Sequence, residues 1–138
     1  MATGFKADFL WYRLGTSDFV HSFFSTISFH LEKEGWGTRY PHLMKELYNG
    51  RLTLKNIPKA IEEAKEAREK LKLFSPSEVV WDIEDLSKQP PWGDNISTDI
   101  TDLSNYFYTS GGKDMFEMLF KACNEALELE VDLEIETL

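Results

Sequence analysis

Six carboxylates crowd into twenty-one residues of this chain: Asp82, Glu84, Asp85, Asp94, Asp99 and Asp102. They sit in the runs Trp81-Asp-Ile-Glu-Asp85 and Pro90-Pro-Trp-Gly-Asp94 and just beyond them. Three kinds of chemistry use such a set. Two facing carboxylates can hydrolyse a glycosidic bond as acid and base or nucleophile. Alternating oxygen ligands can hold Ca²⁺, but the central Gly and final Glu of a Ca²⁺ loop are missing from this spacing. The third use is an acidic face for a protein partner, with Trp92 as an aromatic anchor. Beside all three stands a plain reading, in which the Asp residues cap turns on a solvated surface.

Other catalytic constellations are absent from the sequence. No Ser, Lys or Gly pattern forms a nucleophile motif or a phosphate loop. His21 and His30 are nine residues apart, about 900° of helical rotation, so they point to opposite sides of one helix. His42 and Cys123 have no metal-ligand spacing to any neighbour. Neither a metal nor a cofactor is expected.

The charge is divided unevenly. Residues 1–75 hold 12 Lys and Arg against 9 Asp and Glu, and residues 76–138 hold 3 against 15. The net charge of −9 therefore resides in the second half. Such asymmetry speaks of partners rather than fold and suits a basic one. It argues against duplex nucleic acid as a ligand, because phosphate binding needs a surplus of Lys and Arg.

The elements that must carry these residues follow from periodicity. Phe5, Ala7, Phe9 and Trp11 alternate as a strand ending near Leu14-Gly15. Thr16-Ser17-Asp18 offers a cap for a helix through about Glu34, with Phe19, Val20, Phe23, Phe24, Ile27 and Leu31 inward and Gly35 as its stop. Pro41 suits the start of a second helix bearing Leu43, Met44 and Leu47, ending at Gly50. Asn56 and Pro58 open a third, with Ile57, Ile61, Ala64 and Leu71 on one face and Glu66 and Lys70 paired on the other.

Val79 to Ile83 is β-branched and reads as a central strand that buries Trp81. Leu86 to Asn95 must be loop. There Trp92 is either an anchor folded back on the sheet or an exposed recognition residue. Trp11 and Trp36 are assigned to packing. Tyr106 to Thr109 reads as a strand and Gly111-Gly112 as a turn. Asp114 with Glu117 resembles a capping box for a last helix with Met115, Met118, Leu119, Ala122 and Leu127 inward. Finally Leu129, Val131, Leu133 and Ile135 alternate with Glu130, Asp132, Glu134 and Glu136, a strand with one carboxylate face. That row is a rival to the 82–102 set as the acidic surface.

The expected fold is α+β, a small antiparallel or mixed β-sheet with helices packed mainly on one face. At 138 residues, 42 % hydrophobic and 14 % aromatic, the chain is expected to form one domain over 1–138 with its own core. A single cysteine fits a reducing compartment. The N-terminus lacks a signal-peptide pattern and no run approaches a membrane span, so a cytoplasmic location is expected, with no membrane partner.

Several runs resemble the immunity protein 70 group of bacterial polymorphic toxin systems. In the first half these are Phe23-Phe-Ser-Thr-Ile-Ser28 and Glu34-Gly-Trp-Gly-Thr-Arg39. In the second they are Trp81-Asp-Ile-Glu-Asp85, Pro90-Pro-Trp-Gly93, Thr101-Asp-Leu-Ser104 and Gly112-Lys-Asp114. The resemblance spans roughly residues 15–120, most of the chain on the single-domain expectation. It implies a non-enzymatic antitoxin, encoded beside a secreted toxin, that neutralises it by binding without a cofactor. The physical reading then places the interface at Asp82, Glu84, Asp85, Trp92, Asp94, Asp99 and Asp102. Two alternatives are a small ligand-binding or hydrolytic enzyme using the acidic-loop carboxylates, and a dimeric scaffold with the Leu129–Ile135 strand as an exposed edge. The edge glutamates would repel like edges.

Overall fold

The amino-terminal alternation is a hairpin rather than one strand in the computed structural model, which describes residues 2–137. β1 (Thr3–Ala7) turns at Asp8 and Phe9 into β2 (Leu10–Gly15). A two-residue turn matches the twist of its strands when a turn residue takes positive φ, and Asp8 does so at 55°. Aspartate tolerates that region better than most residues. Phe9 preserves the apolar alternation but sits at the tip, 76 % exposed.

The sheet is wholly antiparallel, in the order β2-β1-β4-β3, with β3 at Arg51–Leu52 and β4 at Leu133–Thr137. Phe5 lies opposite Tyr12 on one side and Ile135 on the other, which fixes the face that meets the helices. Lys6 and Arg51 both lie opposite Glu134, on the other face. β4 was expected from Leu129 and as a possible free edge. It begins at Leu133 and is an inner strand, because the last helix runs on through Leu129.

Helix α1 (Ser17–Leu31) starts where Thr16 Oγ1 accepts the Phe19 N–H at 3.2 Å. It ends before Glu34 because Glu32 turns inward. The Glu32 carboxylate accepts the N–H groups of Gly37 (2.9 Å), Arg39 (3.1 Å) and Tyr40 (3.0 Å) and so ties the following connector to the helix. The next helix, His42–Leu47, is a π-helix: Tyr48 N–H reaches back five residues to Leu43 O, at 3.3 Å. Leu43, Met44 and Leu47 are buried as their spacing predicts.

Helix α2 (Ile57–Leu71) buries Ile57, Ala60, Ala64, Ala67 and Leu71. Asn56 precedes it without capping it, since its amide donates to Glu46. Glu66 pairs with Arg39 at 3.0 Å rather than with Lys70.

Helix α3 (Met115–Leu129) is capped by Asp114, which accepts the Glu117 N–H at 3.1 Å. It closes with Glu130 in the left-handed region. Gly112, also left-handed, makes the turn expected before it.

Two expected strands are absent. Val79–Ile83 is irregular because its backbone bonds to α1, not to a strand. Val80 O accepts the hydroxyls of Ser22 (2.8 Å) and Thr26 (3.1 Å), and Ile83 N–H donates to Ser25 Oγ at 3.2 Å. Three buried hydroxyls thus satisfy a segment that would otherwise need a sheet. Tyr106–Thr109 makes only the single bridge Tyr108–Asp114. Residues 79–114 hold no helix or strand. They are fixed by buried Trp81, Leu103, Tyr106 and Phe107, the last edge-to-face on Phe23 at 5.5 Å.

Candidate partner-binding site

The two acidic surfaces differ in what their carboxylates already touch. On β4, register places cations opposite the acids. Glu134 meets Arg51 at 3.2 Å, and Glu136 meets Lys6 at 3.3 Å. Asp132, just before the strand, lies 3.8 Å from Arg51 and accepts the Leu54 N–H at 2.8 Å.

The 82–102 segment divides. Asp82 accepts from the Glu84 N–H (2.9 Å), His21 Nε2–H (3.1 Å) and Lys88 (3.5 Å). The Glu84 N–H first, then His21 and Lys88 against a burial cost, hold its carboxyl below the usual range. Asp85 accepts the Ser87 hydroxyl (2.5 Å) and N–H (3.1 Å), which lower it likewise. Asp102 is pushed up by partial burial, but the Ser104 hydroxyl and N–H and the Thr101 hydroxyl outweigh that and hold it low. These three build turns, as the plain reading of such residues has it.

Glu84, Asp94 and Asp99 differ. All three are exposed, and among the described residues no cation lies within ion-pair distance of them. Trp92 is folded back yet not hidden. Its indole N–H donates to Tyr106 Oη at 2.8 Å, its ring packs edge-to-face on Trp81 at 5.4 Å, and it stays 37 % exposed.

The seven residues do not share one cleft. Trp92 lines an apolar cleft of about 300 Å³ with Phe19, Ile96, Ile100 and Tyr108, and Asp94 lines a neighbouring one of about 270 Å³ beside Pro90 and Ile96. Glu84 lines a separate cleft of about 430 Å³ with His21, Trp36, Lys45, Tyr48 and Asn49.

Sequence reasoning missed that last cleft. Its residues come from α1, the connector after it, the π-helix end and the acidic segment, and no spacing links them. The only signal was Trp36, assigned to packing, together with a histidine and a tyrosine on separate elements. Their orientation is fixed by hydrogen bonds. Tyr48 O–H donates to His21 Nδ1 at 2.6 Å, which leaves Nε2–H to donate to Asp82. Trp36 Nε1–H donates to Met44 O at 2.8 Å. Trp36 lies nearly parallel to His21 (16°, 6.2 Å) and edge-on to Tyr48 (4.9 Å). Burial, then the charges of Glu84 and Asp82, push the Tyr48 phenol up, so it remains a proton donor.

Glycosidase-type chemistry would need one raised carboxyl beside an ionised one. Two carboxyls are raised by burial, Glu63 and Asp114, and both are committed to helix starts. Glu63 accepts the Leu43 N–H at 2.9 Å, and Asp114 caps α3. Among the described residues no group of three or more His, Cys, Asp or Glu could hold a metal ion, and no helix is long and apolar enough to cross a membrane.

A four-stranded antiparallel sheet with three long helices defines an α+β protein, and part of its acidic segment carries no ion pair among the described residues. The chain belongs to the Immunity protein 70 family, whose model matches residues 5–135. The match takes in most of the hairpin and the start of β4 as well as the motif runs. No curated protein and no solved structure gives a significant match.

Proposed function

We propose that this chain is a cytoplasmic, single-domain antitoxin that neutralises a cognate secreted toxin by stoichiometric binding, without catalysis. Family membership supports the class of function. One observation carries the choice of surface: among the described residues Glu84, Asp94 and Asp99 have no cationic partner, whereas the β4 acids that rival them are paired within the fold. Unpaired surface carboxylates steer a basic partner during encounter and discriminate against wrong ones. Trp92 supplies the half-exposed aromatic that anchors such interfaces. Asp82, Asp85 and Asp102 shape the segment from within, and contact falls to Glu84, Trp92, Asp94 and Asp99.

The test is the paired charge reversal D94K/D99K, assayed by rescue of cells expressing the cognate toxin and by association rate at two ionic strengths. E128K on the exposed side of α3 is the control. The double variant is expected to associate at least about tenfold more slowly at low salt, with rescue weakened. Rescue and rate equal to those of E128K would remove the 82–102 segment from the interface.

A further inference from the structure

The cleft between His21, Trp36, Tyr48 and Glu84 is, we propose, an arginine-binding site that receives a guanidinium side chain of the protein partner. The inference rests on the proposed partner-binding role and adds a chemical identity for one contact.

Three observations carry it. The first is shape: at about 430 Å³ the cleft has room for a guanidinium and its aliphatic stem. The second is the wall. Its three rings are each held by a hydrogen bond: His21 at both nitrogens, Tyr48 at its hydroxyl and Trp36 at its indole N–H. A site whose side chains are already ordered loses little entropy on binding. Aromatic faces attract cations and repel anions, and a planar guanidinium stacks on them where a compact ammonium does not.

The third observation is charge. Glu84 lines the cleft with no ion-pair partner among the described residues, whereas Asp82, behind His21, is already paired with Lys88 at 3.5 Å. Lys45 is the one cation in the lining, and it opposes the assignment. Its stem lies across Gly37, where an added Cβ would fall 2.5 Å from Lys45 Cγ. Glu84 offsets that single ammonium, and the Trp36 and Tyr48 faces then tip the balance toward a cation.

The presence of both signs makes the inference testable, because the Glu84 and Lys45 substitutions must act in opposite directions. The full chain is titrated with N-acetyl-arginine amide, N-acetyl-lysine amide and N-acetyl-glutamate amide. Binding is followed by the Trp36 indole and His21 ring resonances, assigned with W36F. The arginine probe is expected to move both signals in the millimolar range, as suits one isolated side chain, and to outbind the lysine probe. E84Q is expected to weaken it about threefold and K45Q to tighten it by a similar factor. Both positions are exposed, so folding is not at issue. Preference for the glutamate probe, reversed signs for the two variants, or no movement with any probe would overturn the inference. The titration needs no toxin, so it fails or succeeds separately from the D94K/D99K rescue experiment.

Discussion

The β4 carboxylates and those of residues 82–102 look alike in the sequence and behave differently in the fold. A strand has a register, so each outward acid faces a fixed neighbour. Glu134 faces Lys6 and Arg51 across the ladder, and Glu136 takes Lys6 diagonally. An irregular segment has no ladder, and its acids find local donors or none. Asp82, Asp85 and Asp102 take backbone N–H groups two residues ahead. Glu84, Asp94 and Asp99 take no cation among the described residues. Acidic composition alone is therefore a poor guide to an acidic interface. The useful quantity is the charge left over after the fold has satisfied its own donors.

The sharpest way to probe that distinction is to remove a carboxylate that the fold uses completely. Glu32 is 4 % exposed and holds three N–H groups of the Gly37–Tyr40 connector. In E32A those donors lose their acceptor, each at about 1–3 kcal/mol if it stays buried. A loss of at least about 3 kcal/mol in urea unfolding is expected, with E32Q less severe because its amide oxygen still accepts. A loss under about 1 kcal/mol in E32A would mean that the connector re-forms around water.

Asp102 comes next, at about 1 kcal/mol for D102A, the worth of a local cap. Its charge also gives a pH signature. A carboxyl held below its ordinary value of 3.8 contributes stability that is complete above that value and is lost as pH falls through the folded one. Asp82, Asp85, Glu46 and Glu66 share this sign. Glu63 and Asp114, which are raised, act oppositely, with a contribution present in acid that fades as pH rises through their folded values. Lowered groups outnumber raised ones, so unfolding free energy should drop below about pH 4. D102N should flatten that drop while leaving its position on the pH axis to the other four. An unchanged acid slope would show that the Ser104 and Thr101 contacts do not favour the ionised Asp102 carboxylate.

The fold was legible wherever local chemistry decided it. Thr16 before α1 and Asp114 before α3 cap as their types predict, and the stripe from Ile57 to Leu71 is buried. It was illegible where a distant group satisfied the backbone. Val79–Ile83 has the composition of a strand, yet the hydroxyls of Ser22, Ser25 and Thr26 serve it, over fifty residues away. Three small polar residues on the apolar face of α1 were the available clue. The hairpin was hidden because its turn uses Asp8-Phe9 and no glycine. For the site, the carboxylates and Trp92 were visible in the sequence. Which of them remained free depended on His21, Lys88 and two serines, and so on tertiary placement.

The smallest effects on stability should come from the two sets at the surface, and there the comparison is most exposed. E134Q breaks an Arg51 pair whose guanidinium is 63 % exposed, so it should cost no more than about 0.5–1 kcal/mol. D94K/D99K breaks no ion pair among the described residues, at two exposed positions, and should leave urea unfolding within about 0.5 kcal/mol of the parent. The two variants should separate on a different axis. E134Q changes a charge already neutralised by Arg51 and should leave association with the partner and its salt dependence as they were. D94K/D99K reverses charges that no cation among the described residues neutralises and should shift both. If E134Q instead slows association as much as the double reversal, the paired row on β4 still presents its field to the partner. Leftover charge would then be the wrong measure of an interface in this protein.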